Sequence, residues 1–318
     1  MEIQKRNYVN LGRLEEPKRN TLFVDFIRKT VERKQKRMKK SYRSNYFSVI
    51  KQLEAFCKKH DAVLYVESIN EEFFDDFICF MEEQMLRKTY IKATVVSIQA
   101  MVRRAGGYGY AVDPSFDDVK IDDEESTAVY LSPNEIARIY YFIGLRKSQD
   151  RVRDLFILGC CTALRISDLL TLSKENFGER TITKTTLKTG ARVVIPIHDF
   201  VREIYDKYNG ELPTKMSPQY FNNTIKMICK KVGINDKISV THTVGGVPTV
   251  KTKEKWQLIS SHTARRSGAT NLYNSKRMRI QDLMIITGHS SERSFMRYVK
   301  TSKDETAKQM EGDVFFRK

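Results

Sequence analysis

A short acidic segment divides the sequence into two parts and limits most strongly how the chain can fold. Residues 113–127, DPSFDDVKIDDEEST, contain few apolar side chains, one proline and four consecutive acids. This composition is typical of a linker, because it supplies no hydrophobic face for packing. The chain of 318 residues is long enough for two domains. We predict an N-terminal extension over 1–20, a first domain over 21–112, an acidic linker over 113–129, a second domain over 130–300 and a tail over 301–318.

The first part shows helical spacing of apolar side chains in three places. Residues 42–57 repeat apolar residues three or four apart, and residues 70–86 and 89–105 show the same spacing. Thr89 is a plausible N-cap of the third helix, which Gly106 and Gly107 would end. We therefore predict a small all-helical domain.

The second part predicts a mainly helical domain with short strands. Ser132, Pro133 and Glu135 form the pattern of a capping box with proline at the first helical position, so a helix is expected to begin there. Further helical stretches are predicted over 154–172, 217–232, 261–273 and 279–287, and β-hairpins over 180–197 and 239–256. The turns of these hairpins are Thr189-Gly190 and Gly245-Gly246. The expected fold class is mainly α with small β-hairpins.

The distribution of charge points to a polyanionic partner. The chain carries 56 Lys and Arg against 39 Asp and Glu, a formal charge of +17. Residues 1–60 and 131–318 are basic, with 17 and 33 basic against six and 18 acidic side chains, whereas residues 61–130 are acidic. Nucleic acid is the commonest polyanion attracted by such a pattern. Anionic membranes and ribosomes attract the same pattern, so charge alone favours nucleic acid only modestly.

Composition also predicts a soluble, cytoplasmic protein. No apolar run approaches the ~18 residues of a membrane span, and the first twenty residues are too charged for a secretory signal. The five cysteines lie inside apolar stretches without CxxC spacing, so we predict reduced core thiols and neither disulfides nor a zinc site. They are Cys57, Cys79, Cys160, Cys161 and Cys229.

One block of unusual polar composition is TALRISDL. Arg165 and Asp168 stand three apart, and on a helix they would share a face. Because leucines surround Arg165, its guanidinium is expected either to pair with Asp168 or to face a buried anion. The block by itself does not separate these two interpretations.

Two further blocks place histidines near other chemically active side chains. In SHTARRSGATNL, His262 and Arg265 stand three apart near a helix start capped by Ser260 or Ser261, which suits an anion. The alternative is a surface histidine beside solvated arginines. In GHSSERSFMRYVK, His289 precedes Tyr298 by nine residues. A lone tyrosine beside an apolar helix face is more often a core residue than a nucleophile.

Taken in order, these blocks resemble the tyrosine recombinases, the integrases of phages and mobile elements. The matching residues are Arg165 in TALRISDL, Lys188 in LKTG, His262 and Arg265 in HTAR, His289 in GHSS, and Tyr298. The resemblance covers almost all of the second domain, and the helical first domain looks like the family's SAM-like core-binding domain. Asp168 stands where the family more commonly has glutamate, and it is still able to orient a neighbour.

The resemblance implies cleavage of DNA by a tyrosine. Tyr298 would attack the phosphorus and form a 3′-phosphotyrosine, with Arg165 and Arg265 on the non-bridging oxygens. Lys188 would protonate the leaving 5′-oxygen, although Lys184 is an alternative four residues earlier. His262 would accept the tyrosine proton or donate to the phosphate, and His289 would be a second donor. No metal, ATP or other cofactor is expected.

The resemblance also implies partners. We expect binding to double-stranded DNA attachment sites, a homotetramer on two sites, accessory DNA-bending proteins and a location at the nucleoid. The tail, with Val314, Phe315 and Phe316, is expected to dock on a neighbouring subunit. The N-terminal arm-binding domain of many integrases is either lacking or belongs to a longer chain. DNA contacts are expected from the basic residues Arg33, Lys34, Lys36, Arg37, Lys39, Lys40 and Arg43.

Other functions stay open at this point. A type IB topoisomerase or a telomere-resolving enzyme shares the chemistry, but both normally carry different flanking domains. A DNA-binding protein that keeps the fold without cutting would have lost a catalytic residue, and each one is present here. A basic ribosome- or RNA-associated protein would explain the charge and leave the order of the five blocks to chance.

Overall fold

The computed structural model describes residues 16–124, 127–301 and 311. These residues form two compact units. The first contains residues 16–124 and 241–250, and the second contains residues 127–240, 251–301 and 311. Most of the predicted N-terminal extension and tail, including Val314, Phe315 and Phe316, lies outside the described residues.

The first unit contains four α-helices, which are α1 (Phe23–Lys34), α2 (Lys40–His60), α3 (Glu71–Glu83) and α4 (Lys88–Gly106). The three predicted helices are confirmed, and α1 is an additional one. Phe56 of α2 lies against Phe73, Phe77 and Phe80 of α3, with ring centroids 5.4–5.6 Å apart. Burial of these large rings supplies much of the hydrophobic stabilisation of this unit.

Two local features of the first unit differ from the expectation or refine it. The predicted N-cap Thr89 is wrong, because α4 already begins at Lys88 and its N-cap residue is Arg87. The first part of the acidic segment is ordered by side-chain contacts. Gln99 of α4 donates to the carbonyl oxygens of Phe116 and Val119, both at 2.9 Å, and Phe116 is buried.

The second unit is mainly helical, with short strands. Its helices are α5 (Pro133–Tyr140), α6 (Lys147–Thr162), α7 (Ile166–Leu169), α8 (Asp199–Lys207), α9 (Pro218–Val232), α10 (Lys255–Leu258), α11 (Ser261–Asn274), α12 (Ile280–Thr287) and α13 (Glu292–Met296). The strands β1 (Thr181–Thr185) and β2 (Arg192–Pro196) pair with each other. The strands β3 (Lys237–Val244) and β4 (Val247–Glu254) form a second pair, of which residues 241–250 belong to the first unit. The predicted fold class is confirmed.

The start of the second unit follows the predicted capping chemistry. Ser132 Oγ accepts from the Glu135 N–H at 3.3 Å, and Glu135 Oε2 accepts from the Ser132 N–H at 2.7 Å. Pro133 occupies the first turn. These reciprocal bonds satisfy N–H groups that a helix start otherwise leaves unpaired, so α5 begins where the sequence predicts.

Helix α6 lies in the core of the second unit and approaches α11 closely. Apolar side chains are buried around most of its circumference, and α5, α8, α9 and α11 pack on it. The close approach depends on Gly268 of α11, where an added Cβ would lie 2.5 Å from the carbonyl oxygen of Cys160. The backbones of α6 and α11 therefore set the positions of side chains at the ends of both helices.

Both predicted hairpins are present. In the first, Thr181 pairs with Pro196 and Thr185 with Arg192, and Ile182, Val193 and Ile195 are buried on one face. This alternation fixes the register, because a shift of either strand by one residue would turn its own buried apolar side chains to the other face.

The cysteines are less uniformly buried than their apolar neighbours in sequence predict. The expectation that all of them are core residues is wrong for Cys79, which is exposed; Cys160 and Cys229 are buried. Within the described ranges, no helix combines the length and apolar character needed to cross a membrane.

Candidate active site

Arg165 lies at a break between two helices. The sequence predicted one continuous helix here, and this is wrong: α6 ends at Thr162, and Ala163 adopts a left-handed conformation with φ of 53°. Arg165 is the N-cap residue of the short helix α7. Its Nη1 is buried and has no hydrogen-bond partner among the described residues.

Asp168 connects α7 to the β1–β2 turn. This aspartate is fully buried, and its Oδ1 accepts from the Leu187 N–H at 2.8 Å. No ion pair joins it to Arg165 within the part of the chain that the structure describes. Asp168 therefore positions the turn that carries Lys188, the residue after Leu187.

Lys188 and Lys184 have different surroundings. Lys184 Nζ donates to the carbonyl oxygen of Thr171 at 2.5 Å. Lys188 is exposed in the β1–β2 turn, and its charge is one of the causes that lower the pKa of His262. Lys188 is thus the lysine whose charge acts on another candidate residue.

Helix α11 carries His262 in its first turn and Arg265 one turn later. Arg265 is fully buried, and its guanidinium donates to the carbonyl oxygens of Ala163 at 2.7 Å and Thr287 at 2.8 Å. It therefore joins the end of α6 to the end of α12. His262 lies at the surface of the helix, as its position near the N-cap Ser260 predicts.

His289 follows α12, where Gly288 ends the helix. Gly288 has φ of +67°, and an added Cβ would lie 3.0 Å from Val193, so this position requires glycine. Arg265 Nη2 lies 2.9 Å from His289 Nε2, and Thr287 Oγ1 lies 2.8 Å from His289 Nδ1. An arginine nitrogen only donates, so Nε2 is the acceptor and the imidazole is neutral, with its proton on Nδ1.

Burial and nearby positive charge act on both histidines in the same direction. Burial, followed by the charges of Arg265 and Arg165, lowers the pKa of His289 to about 3. The pKa of His262 is also lowered, by partial burial of its ring and by Arg266, Arg265, Lys188 and Arg165. His289 is therefore neutral near pH 7.

Tyr298 lies beside these residues in the same chain. Its ring centroid is 5.0 Å from Arg265 Cζ and 4.9 Å from the centroid of the His289 ring. Its carbonyl oxygen accepts from Thr270 Oγ1 at 3.1 Å, and its ring packs in a small cluster with buried Phe295. The segment after α13 is thus held on α11, and the tyrosine faces the arginine and histidine.

The electrostatics of the cluster suit an anion. Burial and the like charge of Arg165 lower the pKa of Arg265. Arg165 Nη1 and Arg265 Nε are buried donors without hydrogen-bond partners among the described residues. A fully buried guanidinium and a partly buried one, each with an unused buried N–H group, gain most from a small oxyanion. The arrangement can hold a phosphate diester next to a tyrosine hydroxyl.

The predicted DNA-contacting residues are apart from this cluster in the sequence and lie in the first unit. Arg33 and Lys34 end α1, and Lys40 and Arg43 begin α2. Most of the seven are exposed, and within the described residues none of them forms an ion pair. Their charge is therefore not neutralised inside the unit. The members of this group are Arg33, Lys34, Lys36, Arg37, Lys39, Lys40 and Arg43.

Two threonines that lie near the site were not identified from the sequence. Thr287 accepts from His289, and its own hydroxyl donates to the carbonyl oxygen of Leu283 at 2.7 Å. Thr270 is fully buried and donates to Tyr298. Thr287 ends the otherwise apolar stretch LMII and could have been noticed for that reason. Thr270 carries no comparable signal.

Comparison with protein families finds two matches along the chain. The model of the phage integrase SAM-like domain matches residues 22–121. The model of the phage integrase family matches residues 129–305. No match was found among curated proteins.

Several solved structures share the fold. A Tn1549 transposon integrase in complex with a circular intermediate DNA has 17% identity and a TM-score of 0.69, covering 92% of this chain and 99% of that one. A lambda integrase dimer bound to a COC′ core site has 15% identity and a TM-score of 0.68, covering 89% and 96%. A lambda integrase tetramer bound to a Holliday junction has 17% identity and a TM-score of 0.63, covering 85% and 77%.

Proposed function

Because the chain belongs to the phage integrase family, we propose that it is a site-specific DNA recombinase that cuts and rejoins DNA through Tyr298. The observation that carries this proposal is the position of the Tyr298 ring over the buried guanidinium of Arg265, at 5.0 Å, beside the neutral His289. A nucleophile and a phosphate-binding group of one chain are thereby adjacent, which supports cleavage in cis.

Arg165 and Arg265 would bind the scissile phosphate. Planar guanidinium groups hold two phosphate oxygens with paired hydrogen bonds, which a lysine does less well. Their buried, unpaired N–H groups are already desolvated, so they stabilise the charge that redistributes over the phosphoryl oxygens in the transition state. The phosphate would also relieve the repulsion between the two arginines.

Each proton in the reaction has a candidate donor or acceptor. Tyr298 Oη would attack phosphorus while its proton passes to neutral His262, whose lowered pKa keeps it ready to accept. The bond to the 5′-oxygen breaks, and Lys188 would protonate that oxygen. The product is a 3′-phosphotyrosine and a 5′-hydroxyl. Attack by a 5′-hydroxyl of the second DNA reverses these steps and releases Tyr298, so no ATP is required.

His289 and Asp168 would act on these groups indirectly. His289 Nε2 accepts from Arg265 and so orients its guanidinium, while Asp168 holds the turn that carries Lys188. A donor role of His289 toward the phosphate requires the proton on Nε2 instead of Nδ1. We propose that role for the DNA-bound protein, in which Arg265 donates to the phosphate instead of to His289 Nε2.

Double-stranded DNA attachment sites would be bound by the unpaired basic residues from Arg33 to Arg43, mainly through phosphates. Strand exchange needs two sites and four cleavages, which supports a homotetramer, the assembly named for lambda integrase on a Holliday junction. We also propose that accessory DNA-bending proteins assist the reaction, that the protein acts at the nucleoid, and that it serves a mobile element. The proposed domain organisation is a core-binding domain over 21–112, a linker over 113–129 and a catalytic domain over 130–300.

A covalent capture experiment tests the nucleophile without knowledge of the target sequence. The protein and its Tyr298→Phe variant are expressed in the same host, lysates are denatured so that only covalent complexes survive, and attached DNA ends are sequenced. We expect recurring ends with the wild type and none with the variant. Equal amounts of DNA on both would exclude Tyr298.

The recovered ends also separate the proposal from its rivals. Two duplexes carrying the recovered sequence are mixed with the protein, and joint products are measured on a gel. A recombinase produces molecules in which strands are exchanged between duplexes, whereas a topoisomerase-like enzyme only relaxes supercoils. Binding without either product would indicate a DNA-binding protein that does not cut.

A further inference from the structure

The residue next to Arg265 holds a different part of the molecule. Arg266 is half-buried, and its Nη1 donates to the carbonyl oxygen of Val129 at 3.0 Å. Its Nε is buried and has no hydrogen-bond partner within the described ranges. Burying an incompletely paired guanidinium costs free energy, so packing alone does not explain an arginine at this position.

Two other side chains of α11 hold the same stretch, residues 127–131, here called the linker exit. Ser267 Oγ accepts from the Leu131 N–H at 2.8 Å, and Asn271 Nδ2 donates to the Leu131 carbonyl oxygen at 3.0 Å. Leu131 and Ser267 are fully buried. Both backbone polar groups of Leu131 are therefore satisfied by α11, and the linker exit and α11 are fixed to each other.

Arg266 also lies beside the candidate active site. It follows His262 by four residues on α11 and therefore stands one turn above it on the same face. Its positive charge contributes to the lowered pKa of His262, and a phenolate at Tyr298 would raise the pKa of Arg266. Arg266 is thus placed between the linker exit on one side and the nucleophile and histidine on the other.

We propose that Arg266 is a positioning residue for strand cleavage, which by holding Val129 keeps the α11 turn with His262 and Arg265 in place relative to the linker exit. The inference rests on the proposed function of Tyr298 and goes beyond it, because it makes the rate of cleavage depend on how the linker exit is held. A displacement of α11 by a fraction of an ångström would misalign two groups that act on the same phosphate.

Single-turnover cleavage tests this role. The probe is a duplex with the sequence recovered by covalent capture and with sulfur replacing the bridging 5′-oxygen, so that cleavage cannot be resealed. Cleavage rate at saturating DNA, DNA affinity and the pH dependence of the rate are measured for wild type, Arg266→Gln and Arg266→Lys. Arg279→Ala, an exposed arginine paired with Asp282, is the matched control.

The expected pattern separates positioning from general stability. Arg266→Gln should cleave about tenfold more slowly or worse, with nearly unchanged DNA affinity. In its profile of cleavage rate against pH, the acid limb, where the rate rises with pH, should move to higher pH. The reason is that loss of a nearby cation raises the pKa of His262. Arg266→Lys keeps the charge and should restore the acid limb, with partial recovery of the rate. A wild-type rate for Arg266→Gln, or a loss that follows the melting temperature without a change in the acid limb, would overturn the proposal.

A second variant tests the linker exit without changing charge. Asn271→Ala removes the bond to Leu131 and should slow cleavage without moving the acid limb; an unchanged rate would refute the coupling to the linker exit. Tyr298→Phe in the same assay separates the two proposals. If Tyr298→Phe still cleaves, the proposed function fails; if only Tyr298→Phe is inactive and Arg266→Gln behaves as wild type, this inference alone fails.

Discussion

Arg265 is held in place by neutral partners. Its guanidinium donates to the carbonyl oxygens of Ala163 and Thr287 and to the neutral imidazole of His289. No carboxylate forms an ion pair with it among the described residues. The protein therefore fixes the position of this charge without a direct ion pair, and the charge remains available to a phosphate.

The neutral state of His289 predicts a pH dependence of stability. The pKa of His289 is about 3 in the folded protein, against about 6.5 when unfolded. Between these values the unfolded chain binds a proton that the folded protein does not, so the free energy of unfolding falls as pH decreases from about 6.5. One such proton contributes at most ~1.4 kcal/mol per pH unit.

Urea denaturation between about pH 7 and pH 5 measures this dependence. His289→Asn should show a smaller decrease in the free energy of unfolding on acidification than the wild type. His60→Asn, at an exposed position in the first unit, is the control and should follow the wild type. An identical pH dependence for wild type and His289→Asn would show that His289 is not held neutral.

A sulfur-containing substrate distinguishes the two candidate lysines. Lys188→Ala should slow cleavage of ordinary DNA by about 10²–10⁴, the usual contribution of a general acid. Replacing the 5′-oxygen with sulfur should largely restore its rate, because a thiolate leaves without a proton. Lys184→Ala, whose amine is bound to Thr171, should show no such rescue. Rescue of Lys184→Ala in place of Lys188→Ala would reverse the assignment.

At the scale of helices and strands, periodic patterns predicted most elements of the second unit. Capping at Ser132 and alternation in β1 and β2 depend on neighbours in sequence, so they can be read without the fold. The break at Ala163 cannot, because the left-handed turn presents its carbonyl oxygen to Arg265, 102 residues away. The order of the catalytic blocks was visible in the sequence, whereas the hydrogen bond from Arg266 to Val129 was not.

The close packing of α6 and α11 yields a prediction at the same scale. In Gly268→Ala the added methyl would lie 2.5 Å from the Cys160 carbonyl oxygen, so the helices must separate and Arg265 must move from Ala163. We expect a loss of about 1–3 kcal/mol in the free energy of unfolding and slower cleavage. Denaturant unfolding and the single-turnover assay measure both effects.

Gly107→Ala is the matched control for this substitution. Its added methyl would meet only carbonyl oxygens at 3.5 Å or more, an ordinary van der Waals distance. Stability and cleavage should therefore remain close to wild type. If Gly268→Ala and Gly107→Ala behaved alike, the close approach of α6 and α11 would not determine the position of Arg265.

At the scale of the whole molecule, the basic segment of the first unit should dominate the salt dependence of DNA binding. Each phosphate that a basic side chain neutralises adds about 0.9 to the steepness of log K against log salt concentration. Replacing Lys36, Arg37, Lys39 and Lys40 by Gln should weaken binding and make this slope shallower by about 0.9 for each phosphate that is no longer neutralised. Fluorescence anisotropy with a labelled duplex at several salt concentrations measures the slope.

An exposed lysine at the other end of α2 is the control for charge alone. Lys58→Gln removes a positive charge away from the predicted DNA-contacting residues, and the slope should change little. An equal change per residue for Lys58→Gln and for the four substitutions would mean that net charge, and not this segment, governs binding.

Peptide mapping of the trapped complex shows whether Tyr298 becomes covalently bound to DNA. The wild-type protein is incubated with the sulfur-containing duplex, digested with protease and nuclease, and analysed by tandem mass spectrometry. We predict a nucleotide attached through its 3′-phosphate to the tyrosine of the peptide that contains residue 298. A nucleotide on any other side chain, or an adduct that persists in Tyr298→Phe, would contradict the assignment of Tyr298 as the nucleophile.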